Sequence, residues 1–142
     1  MKEFFLILFF SKTLLLTPDP INLHGRLELV PDKPIEAITS GASIQVDVSS
    51  MATRNWKEDI LVFREKLSDL FPRSTIKAKL VGKDNKEVTL SYQGGHQFNK
   101  DIVMLSLHAD NGMPTGIEFT KVIIESSIKL NGIKVFWKNY KH

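Results

Sequence analysis

The chain has 142 residues, of which 42 % are apolar or aromatic and 25 % charged, with a formal net charge of +3 and no cysteine. That length suits one domain, since chains of about 100 to 150 residues hide roughly two-thirds of the surface they expose when unfolded. Lack of cysteine excludes a disulfide scaffold, a thiolate metal site and a cysteine nucleophile, and the apolar content excludes a collagen-like or wholly disordered chain.

The apolar residues are unevenly spread. Residues 1–16 hold 11 of them, including four of the nine Phe. Met1-Lys2-Glu3 leads into the run from Phe4 to Phe10, then Ser11-Lys12-Thr13 and Leu14 to Leu16. A basic start and a seven-residue apolar run resemble the opening regions of a secretory signal, although Glu3 and Lys12 break the pattern and Ser11-Lys12-Thr13 is a poor small-x-small cleavage site. Thirteen residues with a lysine are too few for an ordinary membrane span, which takes about 17 to 25. Residues 1–17 are therefore read as a signal-like or membrane-proximal segment, with residues 4–16 the stretch suited to membrane contact. A buried strand or helix of a cytosolic protein is the alternative. The body, residues 18–142, is read as one domain.

Past Pro18 the apolar period is mostly two, the mark of half-buried strands. Leu27 and Leu29 alternate with Arg26 and Glu28, and Ile44, Val46 and Val48 with Gln45 and Asp47. Pro18, Pro20, Pro31 and Pro34 make residues 18–38 a region of edge strands and connectors, because proline cannot donate to a ladder. One segment has helical spacing instead. Trp56, Ile60, Phe63, Leu67, Leu70 and Phe71 form the stripe of an amphipathic helix over 56–71, with Asn55 to Glu58 as capping box and Pro72 as stop.

Two hairpins are expected next. Ile76, Ala78, Leu80, Val88, Leu90 and Tyr92 all lie at even positions, so opposed residues share a face only if the loop has an odd length. A loop Asp84-Asn85-Lys86 pairs Leu80 with Leu90. Ile102–Leu107 and Ile117–Ile124 supply two further strands, with a β-bulge near Thr120-Lys121 where the parity of the apolar positions changes. Asn131-Gly132 is a strong hairpin signal and would pair Leu130 with Ile133, Ile128 with Val135 and Ser126 with Trp137. Gly94-Gly95 and residues 110–116 read as loops.

Seven or eight short strands with one inserted helix predict a mainly β protein, an antiparallel β-sandwich. An α+β roll wrapped around the helix is the runner-up.

Catalytic patterns are missing. His24, His96, His108 and His142 lie in different segments without metal-ligand spacing, and no Gly-x-Ser-x-Gly, Walker or Gly-x-Gly-x-x-Gly motif occurs. No catalytic residue, metal or cofactor is therefore assigned. The more suggestive feature is charge: residues 126–142 contain four lysines and no acid. On the last strand Lys134, Phe136, Lys138 and Tyr140 interleave lysine with aromatics on one face, a stripe suited to an acidic protein, a sugar or a phosphate-rich surface. Tyr92 is a further stacking candidate. The plainer account is that lysines on an edge strand prevent aggregation. The modest net charge argues against nucleic acid as partner.

The functional expectation is a non-enzymatic binding module, periplasmic, secreted or membrane-attached, that recognises another protein as an immunity-type protein or accessory subunit does. A carbohydrate-binding β-sandwich is the alternative, and a small cytosolic enzyme or enzyme subunit the third reading.

Overall fold

The structure is a computed structural model that describes residues 11–51, 63, 65–99 and 102–140. Its strands in chain order are β1 (Ser11–Leu15), β2 (Ile21–Leu29), β3 (Ile35–Glu36), β4 (Ser43–Asp47), β5 (Ile76–Gly82), β6 (Glu87–Asn99), β7 (Ile102–His108) and β8 (Glu118–Tyr140). The protein is mainly β and its strand pairs are antiparallel, as the alternating pattern implies. The sheet does not split into two facing layers. It closes into a five-strand barrel in the order β8, β4, β7, β6, β5 and back to β8, which replaces the expected sandwich.

The cause lies in β8. It has 23 residues, and at about 3.3 Å per residue a straight strand of that length would run roughly 75 Å, against a radius of gyration of about 14 Å for a chain of this size. It must therefore bend around the molecule. Its first part pairs with β5 (Lys77↔Glu125, Leu80↔Val122) and its last part with β4 (Ile44↔Trp137, Val46↔Val135), so one strand closes the ring twice over. An odd ring of antiparallel neighbours cannot be built from five straight strands, and β8, which meets β5 with one part and β4 with another, resolves that conflict by bending. On its other edge β8 carries β3, β2 and β1 laid end to end (Ile35↔Phe119, Leu27↔Ile124, Leu14↔Trp137).

The Asn131-Gly132 hairpin does not form. A type I′ turn needs positive φ at both residues, and only Gly132 has it (φ 62°). Between the pairs Leu23↔Leu130 and Ile21↔Ile133, β2 has one residue and β8 two, so Asn131 and Gly132 make a bulge. Gly132 N–H donates to Asn22 Oδ1 (2.9 Å), and Ser50 Oγ donates to the carbonyls of Asn131 and Gly132 (2.7 Å each). The expected inner set survives this change of partner: Ser126, Leu130, Ile133, Val135 and Trp137 are buried and Ile128 is partly so.

Other expectations fare unevenly. The bulge near Thr120 is present, with Val81↔Lys121 followed by Gly82↔Phe119 leaving Thr120 unpaired. The even-numbered inner face of β5 and β6 holds. The loop between them has three residues, but its register is displaced: Leu80 faces Val88, not Leu90, and the loop is Lys83-Asp84-Asn85. Asp84 and Asn85 take left-handed backbones (φ 59° and 60°), which Asp and Asn tolerate better than lysine does, so this register keeps Lys86 in extended geometry. Gly94-Gly95 is not a loop. Residues 93–95 bulge within β6 against Ser106 of β7.

Helical structure is described at 63 and 65–70, inside the expected 56–71, while Trp56, Ile60 and the capping box lie outside the described residues. Phe63, Leu67 and Phe71 are buried in the same cluster as the barrel interior, which includes Ile44, Leu105, Leu107, Val122 and Val135. Leu70 stays 46 % exposed although the stripe includes it. The run Phe4–Phe10 also lies outside the described residues. The folded body takes in more than residues 18–142, because β1 pairs with β8 and both Leu16 and Thr17 are buried.

Candidate binding groove

The expected stripe lies on the outer face of β8. Lys134 is exposed opposite Asp47, Phe136 is half-buried between Leu15 and Gln45, and Lys138 is half-buried between Thr13 and Ser43. Tyr140 is opposite Ser11, and its side chain is outside the described set. The topology thus keeps these four positions in line, but not at an edge: β1 and β4 flank this part of β8 on both sides. The explanation of its lysines as edge protection therefore does not hold. Beside Phe136 the outward positions of β4 and β7 are polar and buried, with Gln45 Nε2 donating to Ser43 Oγ (2.8 Å) and Ser106 Oγ donating to Gln45 Oε1 (2.9 Å).

Tyr92 does not join the stripe. It is 2 % exposed, opposite Leu107 in the barrel wall, and burial raises its hydroxyl pKa above the usual value of 10.0, with Arg73 pulling weakly the other way. It is a core residue, not a stacking platform. Phe136 and Phe98 are half-buried and Trp137 is 2 % exposed, so no open aromatic face is offered among the described residues whose side chains are placed. His24, His96 and His108 are exposed and apart, and among the described residues no three His, Asp or Glu side chains converge.

A different site stands out. A cavity of about 570 Å³ opens between β1, the connector 30–34, β3 and the end of β8. Its volume is within the range of ligand and side-chain pockets, about 300 to 1,000 Å³. Leu14, Leu15, Val30 and Ile38 line it and are 41, 42, 70 and 50 % exposed. Only two other large apolar residues among those described, Leu70 and Ile102, are comparably exposed. Lone exposed leucines need no explanation, but four around one cavity do.

The groove's walls follow from local sequence. Pro18, Pro31 and Pro34 line it and lie outside the strands, in the connectors on either side of β2, which is why the chain leaves the ladder there and space remains beneath. Asn139, 6 % exposed, fixes the far wall: its Nδ2 donates to the Glu36 carbonyl and its Oδ1 accepts from Ile38 N–H (both 2.9 Å), much as a neighbouring strand would. Trp137 lines the floor, and its buried indole N–H has no acceptor among the described residues. Asp32, Lys33 and Glu36 sit on the rim.

Residues 14–38 carry no motif for such a site. The signal present in the sequence is only that Val30 and Ile38 are apolar residues beyond any strand pattern, on either side of Pro31 and Pro34. Compared with protein-family models, curated proteins and solved structures, the chain matches none. What it offers is a closed antiparallel barrel with an apolar groove built on its outlying strands.

Proposed function

We propose that this protein is a non-enzymatic binding module, held outside the cytoplasm or at a membrane, that recognises another protein through the groove of β1, β3 and β8. The observation that carries the reading is the ring of four exposed large apolar side chains around one cavity. Covering them removes about half of each from water. With about 1.5 to 3 kcal/mol for complete burial of one such side chain, the gross gain is roughly 3 to 6 kcal/mol. Association costs about 4 kcal/mol or more, so a specific partner must add polar contacts to these.

Location rests on the apolar run Phe4–Phe10 with Lys2 before it, which suits export or attachment to a membrane. No helix among the described residues is long and apolar enough to cross a membrane. Cleavage at Ser11-Lys12-Thr13 would cut into β1, so processing compatible with this fold removes residues only ahead of it. The carbohydrate alternative has less support, since Tyr92 is in the core and the groove's exposed apolar side chains are aliphatic, with Trp137 buried beneath them.

The test combines cell fractionation, the N-terminal residue of the native protein and quantitative cross-linking with the wild-type chain and a Val30→Glu/Ile38→Glu variant. A partner in the extracytoplasmic or membrane fraction, lost with the variant, is the expected result. A protein found wholly in the cytosol with residues 1–17 retained, or a partner list the variant does not change, overturns the proposal.

A further inference from the structure

We infer that the partner enters as an extended strand added to the free edge of β1, with alternate apolar side chains seated in the groove and a basic residue at its rim; this rests on the protein-binding reading above. Among the described residues β1 pairs only with β8, in an unbroken register from Ser11↔Tyr140 to Leu15↔Phe136. Leu16 N–H donates to the Val135 carbonyl (2.8 Å), which continues that register and fixes its phase. The backbone groups of Leu14 therefore point to β8, and those of Thr13 and Leu15 point away from it. Among the described residues these donors and acceptors have no partner, and they lie in a row beside an apolar cavity, the arrangement used for strand addition.

The contrast with β2 sharpens the point. β2 is also an outlying strand, but its register slips twice, Gly25 takes φ 100°, and Arg26 and Glu28 occupy its exposed positions. Those are the devices that blunt an edge against further pairing. β1 has neither bulge nor proline, and Leu14 and Leu15 are both more than 40 % exposed.

Charge selects among occupants. Asp32 and Glu36 carry no ion pair among the described residues, and with Lys33 they give the rim a formal charge of −1 on a chain of +3. An acidic rim disfavours an anionic lipid surface and favours a strand carrying Lys or Arg beside its apolar residues.

The experiment selects a display library of random ten-residue peptides on the immobilised full chain, with counter-selection on Val30→Glu/Ile38→Glu. Both substituted residues are exposed, and an unchanged urea midpoint certifies the variant's fold. Enriched sequences are expected to alternate apolar residues at i and i+2 with Lys or Arg alongside. A synthetic peptide of that consensus should lose at least tenfold in affinity for the variant. It should lose as much when the amides facing β1 are N-methylated, and little when the intervening ones are. No enrichment over the variant, a consensus with helical spacing, indifference to N-methylation, or a dimer in sedimentation velocity that the variant abolishes would each overturn the inference. A cellular partner lost with the variant alongside a helical consensus removes the strand and keeps the protein-binding reading. Strand peptides bound by a protein that resides in the cytosol remove the location and keep the strand.

Discussion

Asn139 ties the groove wall to the barrel through two hydrogen bonds of 2.9 Å, to Ile38 N–H and to the Glu36 carbonyl, and both bonds are partly shielded from water. Asn139→Ala removes both. A net 0.5 to 1.5 kcal/mol per bond gives about 1 to 3 kcal/mol, and water reaching the exposed residues 36 and 38 pulls this towards the lower half. Expected is a loss of about 1 to 2 kcal/mol by urea unfolding, a midpoint temperature lower by roughly 3 to 8 °C, and faster hydrogen exchange at the Ile38 amide. Asn139→Asp separates the two bonds. A carboxylate still accepts from Ile38 but faces the Glu36 carbonyl, acceptor against acceptor, whereas a neutral carboxyl donates there as the amide does. Its folded-state pKa therefore lies above its unfolded value, so the stability it contributes is present at low pH and lost as pH rises through the folded pKa. This variant should approach the wild type on acidification from pH 7. If Asn139→Ala stays within 0.3 kcal/mol of the wild type (on the scale of error in such additive comparisons) and Ile38 exchange is unchanged, the segment 35–38 is held by something else and the reasoning fails.

Three further outcomes follow from the barrel. A Cβ on Gly82 would sit 2.7 Å from the Glu118 carbonyl oxygen, a backbone atom that cannot swing aside, so Gly82→Ala should cost about 1 to 3 kcal/mol in chemical denaturation; a neutral result would mean that the β5–β8 bulge relaxes freely. At Gly132, with φ 62° and Ser50 Oγ 3.0 Å from a built Cβ, alanine should cost about 1 kcal/mol or more and asparagine less, measured in the same way. Tyr92 titrates above its usual value because it is buried, so the folded state holds its proton longer than the unfolded one, and stability should fall as pH rises beyond about 10. Tyr92→Phe should flatten that limb of the pH–stability curve, and an unchanged slope would show that other groups set it.

Periodicity identified which residues face inward far better than which strands are neighbours. The even-numbered apolar residues of 76–92 and the set Ser126 to Trp137 face inside, and the parity break at Thr120 marks a real bulge, because the two-residue alternation is a local property of a half-buried strand. Pairing is not local. Asn131-Gly132 has the composition of a tight turn, but β8 in the observed fold is flanked along most of its length, by β5 and β4 on one edge and by β3, β2 and β1 on the other. A hairpin would use one edge of each half to pair the strand with itself. The many long-range bonds outweigh one favourable turn, and glycine's freedom is spent on a bulge.

That same choice makes the candidate site. Had 122–130 folded back on 133–140, the edge that receives Leu14 and Leu15 opposite Trp137 and Phe136 would be occupied, and β1 would have no seat there. Without β1 the cavity loses the wall formed by Leu14 to Leu16, and Asn139, opposite Lys12 at the end of β8, would have no reason to reach Glu36 and Ile38. The lysine stripe was visible in the sequence because it lies along one strand. The groove was not, because its residues at 14–18, 30–38 and 137–139 come together only through the course of β8. Val30 and Ile38 are exposed because the segments on either side of β3 carry them beside a space that β1 and β8 leave open.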